Sequence, residues 1–267
     1  AAATFSASAQ VYRVVLGAND PIGAGETPIA ATYYNWAGYT SEFVADPAAP
    51  NGYAENRTTT GNPDWFGGGY VTTASDEIFY IIASGDFDLV FSMKTDIPSS
   101  TDRIFLKMEN TTKKKAIEIN YRDKIIYDNE WHTYRLNLRE NFAEVINSVE
   151  KGDEVYCFST GGQNIANCHM SIANVYFEPK QELPAITATA ENITMTSAEI
   201  AYTVTLPESL TGADVEVLLD GNATTASPIA LTGLTTATKY SHTLLAKATL
   251  NGKTLESAPV TVSFSTL

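Results

Sequence analysis

Three histidines, two cysteines and a scatter of acids are what this sequence of 267 residues offers for covalent or acid–base chemistry. His132, His169 and His242 stand far apart. No Gly-x-Ser-x-Gly elbow, His-Glu-x-x-His helix or phosphate-cradling P-loop accompanies them. His132 follows Trp131 at a strand opening and reads as structural, and His242 falls on the inward register of a strand. Glycosidic cleavage needs paired carboxylates facing one groove. The nearest candidates, Asp86-Phe-Asp88 and Glu118 in Ala-Ile-Glu-Ile-Asn, lack a second or third acid in register with aromatic neighbours. The reading is a non-enzyme. A glycoside hydrolase or polysaccharide lyase with an unrecognised acid pair from separate strands is the alternative, and a structural or adhesive surface protein is a third reading. Cys157 and Cys168 flank Ser-Thr-Gly-Gly-Gln-Asn, which reads as part of a turn between two strands. A disulfide across that turn and a pair of small buried hydrophobes both stay open. Two cysteines alone make no metal site.

The remaining chemistry is stacking. From Ala31 to Tyr70 the strand pattern weakens and aromatics crowd in, among them Tyr33, Tyr34, Trp36, Tyr39, Phe43, Tyr53, Trp65, Phe66 and Tyr70. Sugars present flat C–H faces that stack on Trp and Tyr, while polar neighbours take the hydroxyls. Trp36 and Tyr39 flank Ala-Gly, and Trp65 adjoins Asp64 and Asn62, so Trp36, Tyr39, Tyr53 and Trp65 are the candidate carbohydrate-binding residues. The competing fate of each is a core position under long loops. Trp131, inside a strand opening, reads as core.

Charge narrows the partners. The formal net charge of −14 leaves no basic patch for phosphates, which excludes nucleic acid, and it disfavours an anionic membrane surface. Lys113-Lys-Lys115, the one basic run, reads as a solvated turn. No run approaches the roughly 20 apolar residues of a membrane span. The start, Ala1-Ala-Ala-Thr-Phe5, lacks a basic segment and an apolar h-region, so any secretory signal is expected to have been removed.

Alternation places strands at Gln10–Leu16, Glu77–Ile82, Phe87–Thr95, Ile104–Met108, Ala116–Tyr121, the Trp131–Leu138 stretch, Val155–Phe158 and Ser171–Phe177. Phe142, Val145, Ile146 and Val149 fall at i, i+3, i+4 and i+7, the spacing of a short amphipathic helix. Trp65-Phe-Gly-Gly-Gly-Tyr70 permits a bulge or a close backbone approach at a strand start. Glu178-Pro-Lys-Gln-Glu-Leu-Pro184 is polar and bracketed by prolines, which marks a domain boundary. Beyond it the strands recur at short spacing, with turns at Asp220-Gly221 and Asn251-Gly252.

Two resemblances follow. The strand order, the Trp-x-Gly-Gly-Gly run and the turn-plus-Trp131 strand ending in Leu136-Asn-Leu138 resemble galactose-binding-like jelly rolls of the carbohydrate-binding-module type. Residues 183–267 resemble a fibronectin type III domain through Leu234, Thr238, Tyr240 and Phe264-Ser-Thr266, with Tyr202 where many such domains carry Trp and Thr236 where Pro is usual. The fold class is therefore all-β, with a jelly-roll sandwich over 1–180 and a type III (Ig-like) sandwich over 183–267. The resemblance implies a non-catalytic, exported glycan-binding protein of a bacterial polysaccharide-utilisation system, periplasmic or at the cell surface. The jelly roll would bind an oligo- or polysaccharide as a monomer, with the type III domain as spacer. Such jelly rolls often hold a structural calcium ion, for which Asn19, Asp20, Glu26, Asp46 and Asp64 are the oxygen donors on offer. Ala173 stands where the last strand often carries Asp, a departure that weighs against that ion. No other cofactor is implied.

Overall fold

The computed structural model describes residues 10–59, 64–74, 78–163, 166–224 and 227–267. The chain divides into two compact units, residues 1–180 and 181–267, and each is built from β-sheets.

Along the first unit run β1 (Val11–Val14), β2 (Glu26–Ile29), β3 (Thr32–Ala37), β4 (Tyr39–Ala45), β5 (Tyr53–Thr59), β6 (Trp65–Thr73), the helix α1 (Ile78–Ser84), β7 (Phe87–Thr95), β8 (Ile104–Asn110), β9 (Lys115–Asn120), β10 (His132–Asn137), the helix α2 (Leu138–Ile146), β11 (Glu154–Gln163) and β12 (His169–Pro179). One sheet has the order β10-β7-β12-β1-β2, with β5 also on β12 and β4 on β5. The other has the order β3-β6-β11-β8-β9. Along the free edge of β12, β5 takes Ser171 and Ile172 and β1 takes Tyr176 and Phe177. A bulge at Asn174, whose φ is 54°, separates the two partners. Alternate residues of the strands meet between the sheets: Phe91 and Met93 of β7, Tyr134 and Leu136 of β10, and Phe66 and Tyr70 of β6 share one buried cluster. This is the sandwich that period-2 patterning dictates.

The segment before β7 and the stretch 31–70 depart from the sequence reading. The strand expected over Glu77–Ile82 is the helix α1 from Ile78, because Phe79, Ile82 and Ala83 bury one helical face. The stretch Ala31–Tyr70, expected to be long loops, holds four strands, its aromatics alternating between the two faces of the sheets. The helix expected from Phe142 to Val149 is α2, which starts at Leu138 and ends at Ile146, so Val149 is buried beyond it; the Asn137 side chain caps α2, accepting from the Glu140 N–H at 3.1 Å. Phe142, Val145 and Ile146 are its buried face.

An ion pair is buried between the sheets. Glu55 and Arg57 of β5 point inward, 0% and 1% exposed. Arg57 Nε and Nη2 donate to the two Glu55 carboxylate oxygens at 2.7 and 3.0 Å, and Nη1 donates to the Thr160 carbonyl at 2.7 Å. The Tyr70 hydroxyl donates to Glu55 Oε2 at 2.5 Å. Burial, then the Glu55 charge, hold the Tyr70 hydroxyl far above its usual range. Burial by itself pulls the Arg57 pKa down, but the Glu55 carboxylate against it outweighs that and raises it. Arg57 and Glu55 of one sheet are thereby tied to β6 and β11 of the other.

The second unit comprises β13 (Ala185–Glu191), β14 (Ser197–Thr205), β15 (Asp214–Leu219), β16 (Asn222–Thr224), β17 (Ile229–Thr232), β18 (Lys239–Leu250), β19 (Lys253–Glu256) and β20 (Val260–Ser265). Its sheets are β13-β14-β17 and β16-β15-β18, with β20 and β19 sharing the far edge of β18. Ile186, Ile200, Val217, Leu244, Ala246 and Val262 form its core. Asn251 and Gly252, both at positive φ, make the turn between β18 and β19. The Tyr240 hydroxyl accepts from the Thr235 N–H at 2.8 Å, closing the corner before β18. Inside this sandwich the His242 ring lies 6.4 Å from that of Tyr240 and 6.1 Å from that of Phe264, and its Nδ1 meets Asp220 Oδ2 at 2.7 Å.

Candidate functional site

The site is the outward face of the β3-β6-β11-β8-β9 sheet, and its floor is glycine. Phe66, Gly68 and Tyr70 of β6 face the core, so Trp65, Gly67, Gly69 and Val71 face out. On the neighbouring β11, Tyr156, Ser159, Gly161 and Gln163 face out, directly opposite Val71, Gly69, Gly67 and Trp65. Two central strands thus present almost no side chain in the middle of the face. Rings from the flanking strands fill the space. A Cβ on Gly67 would lie 2.7 Å from Phe105 Cζ and 3.2 Å from Trp36 Cε3, whereas one on Gly161 would run into the Phe66 carbonyl oxygen and lie 2.6 Å from Gly67 Cα, with the same Phe105 atom at 2.7 Å. Glycine is required at Gly67 by close approach of the rings, and at Gly161 first by the backbone of β6.

Trp36, placed outward by a bulge in β3, and Phe105 of β8 are nearly parallel, with an interplanar angle of 5° and centroids 6.3 Å apart. Tyr156 stands edge-on to Trp36 at 5.4 Å and takes its indole N–H at 3.3 Å. Tyr34 extends the group at 6.1 Å from Tyr156. Tyr34 and Trp65 are the open rings of the set, 48% and 42% exposed, and Trp36 is half-buried.

Charged and amide side chains border these rings. Lys107 Nζ lies 5.2 Å above the Trp36 centroid and pairs with Glu109 Oε2 at 2.6 Å. The Arg103 guanidinium lies 5.6 Å from the Phe105 centroid and pairs with Glu118. Gln163 faces out beside Trp65, and Asn120 beside Phe105. The Ser159 hydroxyl sits in the floor, buried and without a hydrogen-bond partner. The arrangement offers flat apolar rings ringed by hydroxyl-binding donors and acceptors, the composition that sugar recognition uses.

Of the four residues proposed from sequence, the structure brings Trp36 and Trp65 to this face and withdraws the others. Tyr39 is core: its ring packs edge-on against Phe66 at 5.7 Å and beneath the Arg57 guanidinium at 5.2 Å, and its hydroxyl bonds to that of Tyr33. Tyr53 is also core, its hydroxyl directed at the backbone of Gly17. Both begin strands whose first residue points between the sheets, so the aromatic-rich loop that would have exposed them does not exist. Asn62, named as a neighbour of Trp65, lies outside the described residues. Trp131 leaves the main core and packs on the outer face of the other sheet, against Ala49, Ala54 and Ala173, with Lys94 Nζ 5.8 Å from its ring.

Sequence reasoning missed Tyr34, Phe105, Tyr156 and Gln163 as parts of one surface. The available signal was the alternation of small residues in both Gly67-Gly-Gly69 and Ser159-Thr-Gly-Gly162. The second run reads as a turn, yet it continues β11 to Gln163. That continuation also removes the disulfide. Cys157 and Cys168 lie in and beside strands of opposite sheets, and both are buried free thiols. Cys157 Sγ donates to the Tyr70 carbonyl at 3.4 Å, and burial pushes its thiol up to about 12.

The calcium donors do not converge. Asp20 accepts from Leu16 N at 2.9 Å and from Asn51 Nδ2 at 2.9 Å. Glu26 holds Arg13, and Asp46 accepts from Ala48 N. Among the described residues no three His, Cys, Asp or Glu side chains gather as a metal site. No helix among them is long and apolar enough to cross a membrane. The second unit has shallow surface grooves, one of about 430 Å³ beside Asp220, Asn222 and Pro228, but no aromatic ring lines it.

No protein-family model matches the sequence, and no curated protein matches it. Solved structures are similar to it at low identity. A family 30 carbohydrate-binding module of a cellulosomal cellulase from Clostridium thermocellum is 8% identical, with a TM-score of 0.40, over 58% of this chain and 95% of that one. The glycoside hydrolase domain of Endo-D from Streptococcus pneumoniae R6 is 13% identical, with a TM-score of 0.32, over 88% of this chain, which spans 37% of the length of that domain structure. The binding domain of botulinum neurotoxin DC is 10% identical, with a TM-score of 0.32, over 85% of this chain and 68% of that one.

Proposed function

We propose that the first unit binds glycan, without cleaving it, on the outward face of the β3-β6-β11-β8-β9 sheet. The observation that carries this reading is the pair Gly67 and Gly161 beneath Trp36 and the buried Phe105, flanked by the open rings of Tyr34 and Trp65. A sheet that gives up side chains at the centre of a solvent-facing surface, and lays rings there, sacrifices β-propensity at those positions. Ligand stacking is a function that repays it. Trp65 is the principal stacking residue, Tyr34 and Trp36 complete the surface, and Gln163 and Asn120 take hydroxyls.

Glu109 and Glu118, the carboxylates beside these rings, are each held by a cation, which favours binding over acid catalysis. In this reading the second unit is a type III-like spacer, a resemblance supported by the Tyr240–Thr235 corner. The protein is exported as part of a bacterial polysaccharide-utilisation system and acts as a monomer.

Affinity electrophoresis through gels cast with soluble polysaccharides tests the reading. The protein should be retarded by at least one of them, and Trp65→Ala should migrate as in a gel without glycan. Reducing-end assays on the retarding polysaccharide should show no release. Release would move the protein to the hydrolase class.

A further inference from the structure

The charges on the binding face restrict which glycan it can take. Among the described residues, two cations belong to that face, Arg103 and Lys107, and neither is available to an anionic ligand. Lys107 is held by Glu109 at 2.6 Å, two residues along the same strand, while its Nζ rests over Trp36. Arg103 is held by Glu118 across the β8–β9 pair, while its guanidinium rests over Phe105. The four groups sum to zero, and each cation has both a carboxylate and a ring as neighbours. A carboxylated or sulfated sugar would have to displace Glu109 or Glu118 to gain an ion pair, exchanging one for another with no net gain. It would also approach a chain of formal net charge −14, which repels polyanions over roughly a Debye length, about 8 Å at physiological salt. Uncharged hydroxyls face no such exchange. A paired carboxylate still accepts, and a paired ammonium or guanidinium still donates, through the positions its partner leaves free.

We propose that the ligand is an uncharged polysaccharide, a neutral hexose or pentose polymer, and that Glu109 and Glu118 are the residues that exclude uronate-bearing and sulfated chains. The inference rests on the sugar-binding reading above and adds the class of sugar to it. Because no net ion pair forms, neutral binding is nearly independent of salt. Removing the two carboxylates frees Lys107 and Arg103 to meet an acidic chain.

The test is affinity electrophoresis and titration calorimetry with two sets of polymers. The neutral set is a β-glucan, a galactomannan and an unsubstituted xylan, and the acidic set is polygalacturonate and a sulfated galactan. Each is run at about 25 mM and about 500 mM sodium chloride, which moves the screening length from roughly 20 Å to under 5 Å. Wild type should bind a neutral polymer with affinities within about twofold at the two salts, since counterion release contributes little, and should leave the acidic set unbound. Glu109→Gln/Glu118→Gln should acquire polygalacturonate binding that falls at least about tenfold at the higher salt.

Wild-type retention by an acidic polymer that Trp65→Ala abolishes would overturn the neutral specificity and leave the sugar-binding face standing. The same overturning follows if neutral binding falls tenfold with salt, or if the double variant stays blind to polygalacturonate at low salt while its circular dichroism matches wild type. Retention by neither set would overturn the sugar reading and this inference together.

Discussion

Arg57 is the residue on which the sandwich interior depends most. Its guanidinium spans from Glu55 on one sheet to the Thr160 carbonyl on the other. Taking either partner away leaves a buried charge without compensation, whereas replacing both with apolar side chains of similar volume can be neutral. Arg57→Met should therefore cost about 3–5 kcal/mol in denaturant unfolding, and Arg57→Met/Glu55→Leu should recover most of that loss. If the single variant proves as stable as wild type, the pair is not buried as described.

The cysteines give a second residue-scale prediction. Denatured protein should titrate two thiols. Native protein should react slowly with thiol reagents near neutral pH, because burial holds the Cys157 thiol up to about 12. Sequence could not reveal the buried ion pair: Glu55-Asn-Arg57 is an ordinary polar triplet until its register is known. Nor could it separate Tyr39 and Tyr53, which are core, from Trp36 and Trp65. A strand whose aromatics lie on both faces looks the same whichever face is wet.

At the scale of elements, the proposed binding depends on two strands, β6 and β11, being nearly bare on one side. Gly67→Val would place side-chain carbons where Phe105 and Trp36 already lie. The rings would have to lift, at a cost of about 1–3 kcal/mol in stability for overpacking. Glycan retention should fall with it, since the stacking surface is no longer flat. Retention equal to wild type would mean that Trp36 and Phe105 do not form that surface. The strands β7, β8, β9 and β10 were legible because their alternation is strong and their bulky residues are buried or, in β9, partly buried. The strands β3 to β6 were not, because glycine and polar residues occupy positions where a strand ordinarily shows apolar ones. α1 was missed because Ile78–Ile82 is apolar almost throughout, and a short apolar run carries no period that separates helix from strand.

For the whole molecule, the all-β class and a sandwich order were readable from period and turn chemistry; along the chain the two compact units divide between residues 180 and 181. Limited proteolysis should release a stable fragment close to Leu183–Leu267 that retains a cooperative melt. Absence of such a fragment would mean the second unit does not fold alone. The binding face was the least legible feature, since Tyr34, Trp65, Phe105 and Tyr156 come from four strands that only the fold brings side by side.

The most direct test of that face is a paired measurement on Trp65→Ala: calorimetric titration with the neutral polysaccharide that retards wild type, and thermal unfolding of the same sample. A stacking Trp65 predicts a loss of about 2 kcal/mol in affinity, roughly thirtyfold, with stability changed by less than about 0.5 kcal/mol, as for other exposed positions. Unchanged affinity in a variant that melts like wild type would contradict the account.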